Sequence, residues 1–307
     1  MNIMFSRRHP YLFFFIIISL LLTFSVVSIA IVAGIALKQS DFSDLVFEAG
    51  AGKVGVVEIK GVITESKETI NLIKRFREDE DIKAIVIRID SPGGVVGPSQ
   101  EIYREIRKTI GEKKVIASMG SIAASGGYYI AAGTDGIVAN PGTITGSIGV
   151  IIAYTNFKKL LEKIGMTPVV IKSCEFKDIG SPSREMTPSE KKLLQDFVDQ
   201  THRQFVQAIS EGRKMDVAQA AALADGRIFT GEEAVKQGLV DRLGNLEDAA
   251  EWAGRLGGIE GKVSMVYRKE DKFSIFKYLT EYSLKELMNR MLGQEFYGGY
   301  LYRPETN

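Results

Sequence analysis

Between Ile82 and Ile89 the chain places Ala84, Ile85, Val86 and Ile87 in a near-continuous apolar run. A strand with one wet face alternates apolar and polar side chains, whereas a run apolar on both faces needs cover above and below. Such a strand belongs inside a largely parallel sheet flanked by helices. It stops at the turn-forming Asp90-Ser91-Pro92-Gly93-Gly94. Helical spacing of Ile70, Ile73 and Phe76 predicts a helix over 68–79, and another is expected from Pro98 to about Ile110. Val54 to Ile63 reads as a strand or a bent hairpin kinked at Gly61. Val115 to Met119, residues 137–139 and Ile148 to Ile152 read as further short strands. A small-residue helix is expected to begin near Ser125. Residues 187–211 form a long amphipathic helix, with Leu194, Phe197, Val198, Thr201, Phe205 and Ile209 on one face. The alternation of strands and helices predicts an α/β domain. Lys262 to Tyr267 reads as a last strand and Ser283 to Leu292 as a short helix. Gly298 to Asn307 is a polar, aromatic-bearing tail, either disordered or docked on a neighbouring subunit.

A second feature sets the N-terminus apart. From Tyr11 to Leu37 no residue is charged, and most are Phe, Ile, Leu, Val or Ala. As a helix this run spans about 40 Å at ~1.5 Å per residue, more than the ~30 Å hydrocarbon core of a bilayer. A cleavable signal peptide carries a shorter apolar region of about 7–15 residues. The run therefore predicts one uncleaved transmembrane helix over 11–37. Arg7 and Arg8 precede it, while Asp41, Asp44 and Glu48 follow. The positive-inside bias then places residues 1–10 in the cytoplasm and the main domain on the extracytoplasmic side of the cell membrane. Residues 38–52 read as a linker, 53–258 as the main domain and 259–307 as a C-terminal extension and tail.

With 39 basic against 38 acidic residues, a net charge of +1 gives no reason to expect a nucleic-acid partner. One cysteine, Cys174, excludes an intramolecular disulfide framework, and with only two histidines a zinc centre is not expected. No phosphate-binding Gly-x-x-x-x-Gly-Lys-Ser/Thr is present, and no cofactor is expected.

What remains is a hydroxyl. Ser125 lies in Gly120-Ser121-Ile122-Ala123-Ala124-Ser125-Gly126-Gly127-Tyr128-Tyr129, among small side chains that leave backbone amides close by. A nucleophilic serine needs a base, usually histidine. His9 precedes the apolar run, and His202 sits at the edge of the long helix's apolar stripe, the position of a partly packed structural residue. Lys177, in Lys177-Asp178-Ile179-Gly180-Ser181-Pro182, is the better candidate. A lysine amine acts as a base only when burial or nearby positive charge pulls its pKa down from ~10.4. Ser147, in Thr145-Gly146-Ser147-Ile148-Gly149, is a candidate to orient that amine, or else a turn serine. The Gly126 amide follows the nucleophile directly, and the glycine loop, Gly94 by preference, is a natural second oxyanion donor. The plain alternative is that Ser125 is small only to permit close packing.

These motifs occur in a familiar order: Asp90 to Gly94, Ser121 to Tyr129, Thr145 to Val150, Lys177 to Pro182, Asp225-Gly226-Arg227-Ile228-Phe229-Thr230-Gly231 and Gly238-Leu239-Val240-Asp241-Arg242-Leu243-Gly244. Over about residues 53–255 the chain resembles the short, single-repeat form of the signal peptide peptidase A family. Those proteins are membrane-anchored serine–lysine proteases of Clp protease/crotonase-like fold. The resemblance implies that 53–258 is a catalytic serine–lysine protease domain with Ser125 as nucleophile and Lys177 as base. It implies Ser147 as the lysine-orienting hydroxyl and Gly94 and Gly126 as the oxyanion hole. It also implies a homo-oligomer that joins serine and lysine across subunit interfaces, acting on remnant signal peptides and other hydrophobic segments. The alternatives are a related Clp-like protease acting on partner membrane proteins, and a non-catalytic crotonase-like module that binds peptides or acyl groups.

Overall fold

The computed structural model describes residues 11–15, 18–25 and 52–267, and the backbone of residues 297–301. Residues 11–15 and 18–25 are helical, with apolar side chains such as Phe14, Phe15, Leu21 and Phe24 exposed. They belong to a unit separate from residues 52 onward. Among the described residues no helix is long and apolar enough to cross a membrane. The remainder of the expected span over 11–37 lies outside the described residues, as do residues 1–10, most of the linker and the helix expected over 283–292.

The expected α/β domain is present. Its strands are β1 (Gly52–Lys60), β2 (Ile82–Ser91), β4 (Lys114–Ala124), β5 (Gly136–Ala139), β6 (Ile144–Gly146), β8 (Ile228–Thr230), β9 (Arg242–Leu243) and β10 (Val263–Tyr267), joined in one sheet. The main path runs β10-β1-β2-β4-β5-β9, every pairing along it parallel. The apolar run of β2 sits at its centre. Ile85, Ile87 and Ile89 join the core shared with α1 (Lys67–Glu78) and α2 (Val96–Thr109). Ala84 and Val86 turn to the other face, against Ala249, Ala250 and Ala253 of α8 (Leu246–Leu256). Each fully buried isoleucine contributes about 1.5–3 kcal/mol. This two-sided cover is what an apolar strand demands.

Of the two readings of residues 54–63 the strand holds and the hairpin does not, because β1 is paired on both sides, by β10 and β2, and has no edge left for one. It leaves the sheet at Gly61, whose φ of +68° suits glycine. The strand expected over 115–119 runs on to Ala124, because the sheet forks there: residues 116–118 of β4 pair with β5, and residues 122–124 pair with β6. At the fork the Asp90 carboxylate accepts the N–H of Ile122 at 3.1 Å. A side chain at Gly120 would strike Asp90, so the bend requires glycine. Residues 302–307 lie outside the described residues, and the described part of the tail, expected to be disordered or docked on a neighbour, instead forms β11 (Tyr297–Leu301) within its own chain. It lies antiparallel between β3 (Gly93–Val95) and β7 (Ile151–Ala153), with Tyr300 opposite Gly94 and Gly299 opposite Ile151. The remaining helices include α3 (Gly126–Ala131), α4 (Lys158–Lys163), α5 (Pro188–Arg213), α6 (Val217–Ala222) and α7 (Gly231–Lys236).

Candidate active site

β4 delivers Ser125 to the fork. Ser125 is 1% exposed and begins the fully buried helix α3, with φ 54° and ψ −117°. A non-glycine residue in that region is strained, and such strain persists only where the surroundings impose it. Here they do. The Ser125 N–H donates to the Gly146 carbonyl at 2.8 Å, and its carbonyl accepts from Tyr129 N–H at 2.8 Å. Gly127 keeps α3 against β2, since a Cβ there would lie 3.0 Å from the Ser91 carbonyl oxygen. The N–H of Gly126, at the first position of α3, has no i−4 partner within that helix.

Ser147 stands beside Gly146 with φ 49°, its N–H bonded to the Arg227 carbonyl at 2.8 Å. Ser125 and Ser147 line one cavity of about 420 Å³, with Ile148, Val150 and Ile151, Val198 and His202 of α5, and the Ala224–Gly226 turn. The structure thus brings together the expected nucleophile and the expected orienting hydroxyl. It adds His202, which sequence reasoning set aside as packing.

The glycine loop runs alongside. Ser91 is opposite Ala123 in the sheet, and the Gly93 N–H donates to the Ser91 hydroxyl at 3.1 Å. Gly94 must be glycine, because a Cβ there would lie 2.1 Å from the Ile63 carbonyl oxygen. Ile63 N–H donates to Gly93 and Val95 N–H donates to Ile63. Alternation along a strand then turns the N–H and C=O of Gly94 the other way, toward the side β11 occupies. The two strands that grip the tail, β3 and β7, are thus the glycine loop and the continuation of the cavity wall.

Lys177 is not part of this cavity within one chain. It is exposed, on a turn where its N–H meets the Cys174 carbonyl at 3.3 Å. That turn is pinned at its next residue. The Asp178 carboxylate accepts from Arg184 Nε at 2.8 Å and from Lys172 Nζ at 2.6 Å. Arg184 also reaches Glu190, whose carboxylate closes a capping box with Thr187 at the start of α5. Arg184, and after it Lys172, hold the Asp178 carboxyl well below the usual range. Arg184 and the Thr187 amide bring Glu190 down to about 2. The neighbouring stretch is apolar and uncovered: Met166, Val169, Val170 and Ile171 are all exposed, Ile171 by 98%. Among the described residues no cluster of His, Cys, Asp or Glu is suited to a metal ion.

The chain matches the profile of peptidase family S49 over residues 107–260 and that of Clp protease over residues 59–143. It is 44% identical over 230 residues to a provisionally named protease of Synechocystis sp., covering 74% of this chain and 83% of that one. It is 37% identical to a provisionally named signal peptide peptidase SppA of Enterococcus faecium, covering 69% of this chain and 66% of that one. The chloroplastic serine protease SPPA of Arabidopsis thaliana is 37% identical over 64% of this chain, which spans 29% of that larger protein.

Proposed function

The chain belongs to peptidase family S49, and from that premise we propose that it is a membrane-anchored serine endopeptidase that cuts extended apolar peptides, remnant signal peptides among them. The observation that carries the reading is the track beside Ser125. β3 and β7 hold an antiparallel strand between them, and β7 begins at Ile151, which lines the same cavity as Ser125. Peptides bound by strand addition gain main-chain hydrogen bonds without regard to sequence, while pockets alongside supply preference.

In the proposed reaction a neutral lysine amine takes the proton of the Ser125 hydroxyl as Oγ attacks the scissile carbonyl carbon. Charge builds on the carbonyl oxygen, and in this reading the N–H groups of Gly126 and Gly94 donate to it. The tetrahedral species collapses, and the leaving amine takes the proton back from the lysine. A water molecule activated by the same amine then releases the acyl group from Ser125. The amine is that of Lys177 from a neighbouring copy, oriented by Ser147. Its exposed turn and the uncovered apolar residues 166–171 support an assembly that buries both, since contiguous exposed apolar surface marks an interaction site. Burial among other cations would also strip the charge from the amine. The uncharged run over 11–37 supplies the anchor in this reading, with residues 1–10 cytoplasmic and the peptidase domain outside.

The test is covalent labelling. A fluorophosphonate should modify the full chain at Ser125, and Ser125→Ala should lose both labelling and hydrolysis of an apolar peptide. Undiminished hydrolysis by Ser125→Ala overturns the proposal.

A further inference from the structure

The turn Asp225-Gly226-Arg227 follows α6 and enters β8. Its carboxylate is a backbone device. One oxygen of Asp225 accepts the main-chain N–H of Arg227 at 3.1 Å. A carboxylate bonded to the backbone two residues on closes an Asx-turn and fixes the chain between. The same carboxylate accepts Arg227 Nε at 2.9 and 2.8 Å. The Arg227 side chain, and after it the Arg227 amide, holds the Asp225 carboxyl down at about 2, so the acceptor stays ionised. Beyond the turn, the Arg227 carbonyl accepts the Ser147 N–H at 2.8 Å, and the Gly146 carbonyl accepts the Ser125 N–H at 2.8 Å. The Ser147 N–H and the Gly146 carbonyl belong to one peptide group. Its N–H is held by the turn, and its C=O holds Ser125.

That peptide is flanked by two left-handed residues, Gly146 with φ 79° and Ser147 with φ 49°. A non-glycine residue keeps such a conformation only where its surroundings impose it. The pairing of β6 with β8 ends at Gly146 opposite Ile228, so the Arg227 carbonyl is what grips Ser147 past the end of the ladder. Resting on the peptidase reading above, we propose that Asp225 is a positioning residue. By fixing the Arg227 carbonyl it sets the Gly146–Ser147 peptide, and through that peptide the aim of both serine side chains. It acts through the backbone and touches no reacting group. The ion pair is not the operative part: the Asp225 and Arg227 side chains are 46% and 63% exposed, and exposed pairs contribute little. What matters is an acceptor for the Arg227 N–H, which a neutral amide also supplies.

Variants of the full-length protein assayed on a quenched apolar peptide test this. Asp225→Ala removes the acceptor, and kcat should fall by about 10- to 100-fold while KM stays within about twofold, since misplacement by ~1 Å costs that much in rate. The rate of fluorophosphonate labelling at Ser125 should fall with kcat. Asp225→Asn keeps the acceptor without the charge and should restore about half of the parent kcat or more. A parent-like kcat in Asp225→Ala, a loss confined to KM, or an Asp225→Asn as impaired as Asp225→Ala overturns the assignment. Should Asp225→Ala fail to fold, Asp225→Ser decides. A serine hydroxyl closes the same turn more weakly, so its kcat should lie about threefold or more below that of Asp225→Asn, and equal values overturn the assignment. The parent protein separates the two levels. If its Ser125 is not labelled and it cuts no peptide, the peptidase reading itself is overturned. A labelled, active parent beside an equally active Asp225→Ala overturns only the role of Asp225.

Discussion

The N–H of Ser125 donates to the carbonyl of Gly146 across 2.8 Å, so the proposed nucleophile hangs from the strand that ends one residue before Ser147. Both serines have positive φ, 54° and 49°. Such backbone costs a non-glycine residue about 1–3 kcal/mol, whereas glycine adopts it freely at an entropic cost of roughly 0.5–1 kcal/mol. Ser125→Gly should therefore be more stable than Ser125→Ala by up to about 2 kcal/mol, since alanine keeps the strain. Both should lose hydrolysis, by about 10⁶-fold where the serine and its base act as a unit. Scanning calorimetry beside a peptide assay checks this. A glycine variant melting below the alanine variant would show that the bend holds no strain.

Much of this was legible in the residues, and the part that was not has a physical cause. The apolar run of β2 gave the parallel sheet, because no other arrangement covers Ile85 and Val86 on opposite faces. Ser125 and Ser147 were readable as small-residue turns. Their shared cavity was not, since it depends on the fork of β4 at Gly120, a contact with Asp90 thirty residues earlier. His202 is half-buried, as a partly packed residue should be, but that it also lines the cavity was hidden, because helical spacing reports a half-buried face and not what that face meets. The pairing of the tail was equally hidden: Tyr297 to Leu301 contains two glycines and only weak alternation, and its order comes from the open edges of β3 and β7.

That pairing has a kinetic consequence. A strand tethered to its own enzyme competes at an effective concentration near the millimolar range for short flexible links. Deleting residues 297–307 should lower KM for extended peptides several-fold while kcat changes little. The excised segment, added as a free peptide, should inhibit the truncated enzyme competitively. An unchanged KM would place the substrate track elsewhere.

The turn bearing Lys177 should be acid-sensitive. In the folded chain Asp178 and Glu190 both titrate below their ordinary range because Arg184 bonds to each. Depressed carboxyl pKa values contribute stability that is complete above the unfolded values of about 4 and is lost as pH falls toward the folded ones. The segment from Lys172 to Glu190 should therefore stay protected from protease at pH 5 and open progressively between about pH 4 and 2. Arg184→Gln should open it already at neutral pH, because two carboxylates lose their shared partner. Hydrogen exchange of this segment across the pH range measures both effects. Equal protection in the variant would show that the ion pairs do not hold the turn.

The last prediction concerns where the base comes from. Within one chain Lys177 is exposed and does not line the cavity of Ser125. If each site joins Ser125 of one copy to Lys177 of the next, neither Ser125→Ala nor Lys177→Ala has a working site alone. A ring assembled at random from equal amounts of the two variants is different. Each site then draws an intact serine half the time and an intact lysine half the time, so roughly a quarter of the sites are complete across a heterologous interface. Denatured and refolded together, the two inactive variants should regain about a quarter of the parent rate per site. Fluorophosphonate labelling should mark only the Lys177→Ala chains in that mixture. A dyad closed within one chain would leave the mixture as inactive as its components, because no exchange of whole subunits could restore it.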